Sequence, residues 1–187
     1  MAGTGAAPPY YIIQDKRFEL YIQPDNLQKR VGHLADELNK TFVDQTPVLV
    51  PVLTGALPFF ADLLPRLQFA YELSPIKLSS YYDGMESQGV PSVPQLPVDV
   101  TGKPVVVLED IIETGRTYQA LLQALGIRGA RQVYAAVLLL KRAVYTGERP
   151  NWVGFEIGDD FVIGYGLDYA EKGRHLRGIY QLVEPKA

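Results

Sequence analysis

Between Gln23 and Phe42 the apolar residues Leu27, Val31, Leu34 and Leu38 recur every three or four positions, with Pro24-Asp25-Asn26 just ahead of them. That spacing gathers them on one face of an amphipathic α-helix, and a proline is accepted in a helix's first turn. Residues 47–53 form a short Val/Leu run of strand type, and helical spacing resumes directly after Gly55 at Leu57, Phe60, Ala61, Leu64 and Leu67. The unit reads strand, turn, helix. A β-like stretch follows over residues 76–81. A second strand-turn-helix unit then joins the apolar run 105–108 to Tyr118, Leu121, Leu122 and Leu125, with a stop at Gly126. Residues 133–140 and the positions Trp152, Val153, Phe155 and Ile157 add two more strands. Uniformly apolar strands alternating with helices predict an α/β fold, a doubly wound, mainly parallel sheet flanked by helices.

Periodicity lapses between residues 82 and 103, where Asp83, Gly84, Ser87, Gln88, Gly89, Pro91, Pro94 and Pro97 crowd together. A loop of this length is either a lid or binding loop or an insertion without order, and the pattern alone does not separate the two. Residues 1–9 are small residues and prolines and read as a flexible tail, so residues 10–187 are expected to form one domain. The tail lacks a basic start and an apolar stretch and does not read as a secretory signal.

Composition narrows the functional classes. A net charge of −3 gives no sign of a nucleic-acid surface, which would carry excess Lys and Arg against phosphates. Any phosphate is then expected in a local pocket. The absence of cysteine excludes disulfides, thiolate metal sites and a cysteine nucleophile, and suits a reducing compartment, with the cytoplasm as the expectation. The longest apolar run, 133–140, falls far short of the roughly 20 residues of a membrane-spanning helix.

In open α/β sheets ligands bind beyond the carboxyl ends of the strands, which directs attention to the segment leaving 105–108. It reads Glu109-Asp110-Ile111-Ile112-Glu113-Thr114-Gly115-Arg116-Thr117. Adjacent acids at a strand end are either a solvated turn or a holder of sugar hydroxyls and a hydrated metal ion. Residues 113–117 suit a phosphate cradle: Gly115 admits close backbone approach, Thr114 and Thr117 bring hydroxyls, and the next helix presents N–H groups. Ordinary capping by a threonine is the other reading. Neither histidine has a metal-type partner: His33 falls on the first helix as a surface residue and His175 stands beside Arg174.

The string from Val105 to Thr117 closely resembles the phosphoribosyl-pyrophosphate motif of type I phosphoribosyltransferases, and within them the hypoxanthine-guanine phosphoribosyltransferases. The likeness continues in Val52-Leu53-Thr54-Gly55-Ala56, Ser79-Ser80-Tyr81, Leu140-Lys141-Arg142, Val153-Gly154-Phe155-Glu156-Ile157 and Gly164-Tyr165-Gly166-Leu167-Asp168-Tyr169. The resemblance implies the type I phosphoribosyltransferase fold, with a small hood built from the terminal segments. It implies transfer of the 5-phosphoribosyl group from phosphoribosyl pyrophosphate to a 6-oxopurine with Mg²⁺, in a homodimer or homotetramer.

By the same resemblance, Glu109 and Asp110 hold the ribose hydroxyls and Mg²⁺, with Asp168 near the metal and base. Glu113, Thr114, Gly115, Arg116 and Thr117 surround the 5′-phosphate, with Glu113 also the acid–base group at the purine. Leu53, Thr54 and Gly55 form a pyrophosphate loop in which a non-proline cis peptide is typical, and Arg174 contacts pyrophosphate. Phe161 stacks on the base, the Val162 backbone faces its edge, and Lys141 donates to its exocyclic oxygen. A lysine ending an apolar strand could otherwise mark the exit into solvent, and Phe161 could be plain core. Ser80 and Tyr81 begin the lid around 82–103.

Glu113 stands where the family usually has aspartate, and Thr54 where lysine is common. A regulatory protein that binds nucleotide or phosphoribosyl pyrophosphate without turnover is the competing reading, since a fold alone does not fix a function.

Overall fold

The computed structural model describes residues 7–77 and 98–183. In chain order the elements are β1 (Tyr10–Ile13), β2 (Lys16–Ile22), α1 (Pro24–Thr41), β3 (Val48–Leu53), α2 (Leu57–Leu63), β4 (Glu72–Leu73) and β5 (Ile76–Lys77). They continue with β6 (Pro104–Ile112), α3 (Arg116–Ile127), β7 (Gln132–Lys141), β8 (Trp152–Ile157), β9 (Val162–Ile163) and β10 (Ile179–Val183).

The main sheet has the order β4-β3-β6-β7-β8, every pair parallel, with β5 alongside the end of β3. Alternation along the strands divides its side chains between two apolar layers. Leu49, Val106, Leu108, Ala136 and Leu138 pack with Leu27, Val31, Leu34 and Leu38 of α1 and Phe59 and Leu63 of α2. Val48, Val50, Val105, Val107, Ala135 and Val137 pack with Tyr118, Leu121 and Leu125 of α3. Covering both faces is what makes the strands apolar throughout, and each fully buried Leu or Val contributes about 1.5–3 kcal/mol. The expected doubly wound α/β fold is thus observed.

A second, antiparallel sheet of order β1-β2-β10-β9 joins the two ends of the described chain into the hood, around Phe18, Ile163, Leu176 and Tyr180. Part of the expected tail is tied to it: Pro9 O accepts from the Leu20 N–H at 2.9 Å and Pro8 O from the Tyr180 hydroxyl at 3.1 Å. Residues 1–6 and 78–97 lie outside the described residues, and with them Ser80, Tyr81 and most of the expected lid. Of the remainder of that loop, Val100 is buried and the Asp99 carboxylate accepts from the Thr101 N–H and hydroxyl, so the segment just before β6 is part of the packed structure.

Two local expectations need correction. The stripe Leu57, Phe60, Ala61, Leu64, Leu67 is not the buried face of α2: Leu57 is 48% exposed and the buried pair is Phe59 and Leu63. The helix stops at Leu63 and tightens into a 3₁₀ turn over Leu64–Arg66, because Pro65 has no N–H for an α-helical ladder. Strand β6 also runs past Leu108 to Ile112, so Glu109 and Asp110 sit inside the strand. β7 continues beside it, pairing Glu109 with Val137 and Ile112 with Leu140, and that ladder overrides the polar pair. No described helix is long and apolar enough to cross a membrane.

Near the end of α3, Gly126 has open space where a Cβ would stand. Gly126→Ala is expected to stabilise the fold by about 0.5 kcal/mol, less than a mid-helix gain because the last turn frays. The midpoint of urea unfolding checks this.

Candidate active site

The carboxyl ends of the parallel strands β3, β6 and β7 open on one edge of the sheet. A cleft of about 350 Å³ there is lined by Val52 and Leu53 of β3, Glu109, Ile111 and Ile112 of β6, and the run Glu113, Thr114, Gly115, Arg116, Thr117, Tyr118. Gly115 caps α3 in the left-handed region, at φ 78°, and no side chain caps the helix. Capping by a threonine is therefore not what this sequence does. A glycine makes the turn at little conformational cost, and the helix start keeps its N–H groups for an anion.

The turn after β3 holds a cis peptide between Leu53 and Thr54, as the resemblance implied. The next residue, Gly55, lies against the Asp110 carboxylate so closely that any Cβ would overlap it. On the hood side Gly166, at φ 101°, is packed against Gly55 O with no room for a side chain. Strand β3, the acidic pair and the hood loop thus meet at two glycines.

Asp110 is buried, and its Oδ1 accepts from the Ile111 N–H at 2.9 Å. Desolvation raises its pKa, opposed by a hydrogen bond from Glu109, by that N–H and by the charge of Arg174. Glu109 is pushed well above its ordinary range, first by desolvation and then by the Asp110 charge. A carboxylic acid whose folded pKa is raised binds more protons folded than unfolded, so stability falls as pH rises from the ordinary carboxylate range through the raised value. Glu109→Gln removes much of that slope. With chelator present, it is expected to melt above the parent protein at neutral pH, and this advantage is expected to fade as pH falls toward 4.5, the ordinary value for glutamate. Thermal melts across that range check it.

Lys141 ends β7 only 4% exposed, turned into the site and not out to solvent. Its Nζ lies 3.0 Å from Glu113 Oε1 and 3.7 Å from Asp159 Oδ1, and donates to Asp159 O at 3.4 Å. A buried ammonium requires such partners. From the hood, Phe161 contacts Phe18 and Tyr169 yet remains 42% exposed, so it is not plain core. Val162 follows it in β9, paired with Gln181. Arg174 donates to Gly166 O at 2.8 Å and pairs with Asp168 Oδ1 at 2.7 Å.

Residues 21–170 match the phosphoribosyl transferase domain. The chain belongs to the phosphoribosyltransferase family. It is 36% identical over 160 residues to the hypoxanthine-guanine phosphoribosyltransferase of Bacillus subtilis, a match covering 84% of this chain and 89% of that protein. It is 39% identical over 160 residues to the bifunctional protein TilS/HprT of Listeria monocytogenes, spanning 84% of this chain but only 25% of that relative's length. A crystal structure of a hypoxanthine-guanine phosphoribosyltransferase from Bacillus anthracis superposes with a TM-score of 0.80 at 32% identity, covering 89% of this chain and 97% of that one.

Three contributors to this phosphoribosyltransferase site escape sequence reasoning. Asp159 flanks Lys141, and Tyr145 lies under Gly115. Tyr165 donates to Asp62 Oδ2 at 2.6 Å and pins the hood loop to α2, with Gln28 of α1 donating to the same oxygen. Only Tyr165 fell within a quoted motif; the others are brought in by tertiary contacts that no spacing encodes. Among the described residues no group of three or more His, Asp or Glu side chains is placed to hold a metal, so Glu109, Asp110 and Asp168 do not form a closed site.

Proposed function

We propose that this protein transfers the 5-phosphoribosyl group from phosphoribosyl pyrophosphate to hypoxanthine or guanine, releasing pyrophosphate. The observation that carries this reading is the pairing of buried Lys141 with Glu113 at 3.0 Å on the rim of the cleft. A 6-oxopurine presents an exocyclic oxygen beside an imidazole-ring nitrogen. An ammonium facing the first and a carboxylate facing the second match that edge. The amino group of adenine would set donor against donor, and sites built on buried hydrogen bonds reject such mismatches strongly.

The other imidazole nitrogen, remote from the exocyclic oxygen, attacks the anomeric carbon as the bond to pyrophosphate breaks, and pyrophosphate leaves with the bonding electron pair. The proton on the purine's imidazole ring passes to Glu113, a general-base role. Thr114, Gly115, Arg116 and Thr117, with the start of α3, hold the 5′-phosphate. Glu109 and Asp110 orient the ribose hydroxyls. Leu53, Thr54 and Gly55 cradle the pyrophosphate, toward which Arg174 brings its charge, while Phe161 stacks on the purine and the Val162 backbone meets its edge.

The paired carboxylates of Glu109 and Asp110, and that of Asp168 paired to Arg174, offer oxygen donors only. This suits Mg²⁺, which takes one or two carboxylates and completes its shell with substrate oxygens and water. Bound there, Mg²⁺ supplies neutralisation of the leaving pyrophosphate's charge. We further place the enzyme in the cytoplasm as a homodimer or homotetramer, on the strength of the family.

Product formation from phosphoribosyl pyrophosphate and Mg²⁺, with hypoxanthine, guanine, xanthine and adenine supplied separately, tests the proposal. Turnover restricted to 6-oxopurines is the expected result. Nucleotide binding without turnover of any base would favour the regulatory reading.

A further inference from the structure

The phosphate loop has no side-chain cap, so something else must fix it relative to the residues that face the base. Tyr145 is the side chain in that position. It lies in the turn after β7, where its N–H donates to Lys141 O at 2.9 Å. Its ring is 2% exposed and is packed under Gly115 so tightly that a Cβ on that glycine would overlap it. The hydroxyl donates to Glu148 O at 2.8 Å, and Tyr118, in the first turn of α3, meets the ring edge-on at 6.2 Å between centroids.

These contacts close a ring of structure. Lys141 holds Tyr145 through the backbone, Tyr145 supports Gly115, Gly115 lies two residues from Glu113, and Glu113 pairs back to Lys141. Behind the tyrosine is a separate cleft of about 540 Å³, lined in part by Gln119, Leu122, Gln132 and Arg149. Shortening the side chain would join that open space to the back of the loop and leave the loop without a support.

We propose that Tyr145 is a positioning residue that sets the phosphate loop at a fixed distance from the Lys141–Glu113 pair, so that the phosphoribosyl and base subsites stay in register. Tyr145 and the turn carrying it are not among the proposed substrate-binding groups; Gly115, which it supports, is. The inference rests on the proposed function for the loop's role as a phosphate holder. It is therefore read first by a measurement that needs no turnover.

Calorimetric binding of ribose 5-phosphate would be compared in the parent protein, Tyr145→Leu and Tyr145→Phe, with melting temperatures and KM values for phosphoribosyl pyrophosphate and hypoxanthine alongside. Loss of the ring is expected to weaken ribose 5-phosphate by about tenfold or more and to raise both KM values, since displacement of a positioned group by an ångström has effects of this order. Tyr145→Phe keeps the ring and is expected to stay within about twofold, because only one neutral hydrogen bond is lost. A lower melting temperature in Tyr145→Leu with ribose 5-phosphate affinity unchanged would reduce the residue to a core filler and overturn the proposal. Should Tyr145→Leu not fold, Tyr145→Met joins a double-mutant cycle with Gly115→Ala. Additive losses of affinity would overturn the proposal, and coupled ones support it. Parent protein that binds ribose 5-phosphate in a Tyr145-dependent way but turns over no base sinks the proposed function and leaves this inference standing. Parent protein that binds no ribose 5-phosphate overturns it.

Discussion

Lys141→Ala is expected to lower kcat/KM for hypoxanthine by about 10²-fold, within the range for losing a charge-assisted hydrogen bond in a water-poor site. In the proposed function Nζ donates to the base's exocyclic oxygen, and no other described cation stands within 4 Å of Glu113. The cost in stability is expected to be smaller, about 1–3 kcal/mol, since most of it comes from the buried aliphatic stem. The two acids it leaves behind, Glu113 and Asp159, have side chains 54% and 70% exposed and can take up water. Lys141→Arg would not rescue the activity, because a planar fork cannot replace a compact ammonium in a space 4% exposed. Steady-state kinetics beside a denaturation curve checks both parts. Loss of stability without loss of 6-oxopurine turnover would reduce Lys141 to a structural ion pair.

That lysine marks where sequence reading stops being sufficient. The long, strongly periodic elements were legible: α1 from Leu27, Val31, Leu34 and Leu38, α3 from Tyr118, Leu121 and Leu125, and the parallel core from uninterrupted apolar runs. Residues 109–117 were legible as a site because strand ends in α/β sheets are where ligands bind, and the structure puts all of them except Asp110 on the cleft wall. How the hood strands pair was not readable from local pattern. β2 alternates, with exposed Arg17, Glu19 and Tyr21 between buried Phe18 and Ile22, but β9 has two residues and β2 finds its partner β10 more than 150 residues away. Lys141 and Phe161 had two readings each because exposure is a property of the tertiary fold. In α2 the apolar residues outnumber those one face can bury, and packing against α1 and β3, not spacing, chose Phe59 and Leu63.

Gly55→Ala is expected to be strongly damaging for a single added methyl. At Gly126 the same change meets nothing, whereas at Gly55 the new Cβ overlaps Asp110 Oδ2 and comes within 2.7 Å of its Cγ. Neither side can yield. Asp110 is held by the Ile111 N–H inside β6, and on the opposite side Gly55 O is packed against Gly166. Overpacking of this kind costs about 1–3 kcal/mol in stability. The functional loss is expected to be larger, about 10²-fold in kcat/KM for phosphoribosyl pyrophosphate, because the methyl pushes apart the loop proposed to hold pyrophosphate and the carboxylate proposed to orient the ribose. KM for hypoxanthine should change far less, since Lys141, Glu113 and Phe161 lie on other elements. Asp110→Ala in the Gly55→Ala background makes room for the methyl and should recover stability without recovering activity. That split distinguishes a steric collision from the loss of a needed carboxylate. If Gly55→Ala retained both stability and saturation by phosphoribosyl pyrophosphate, the close packing of Gly55 on Asp110 would have no part in the site.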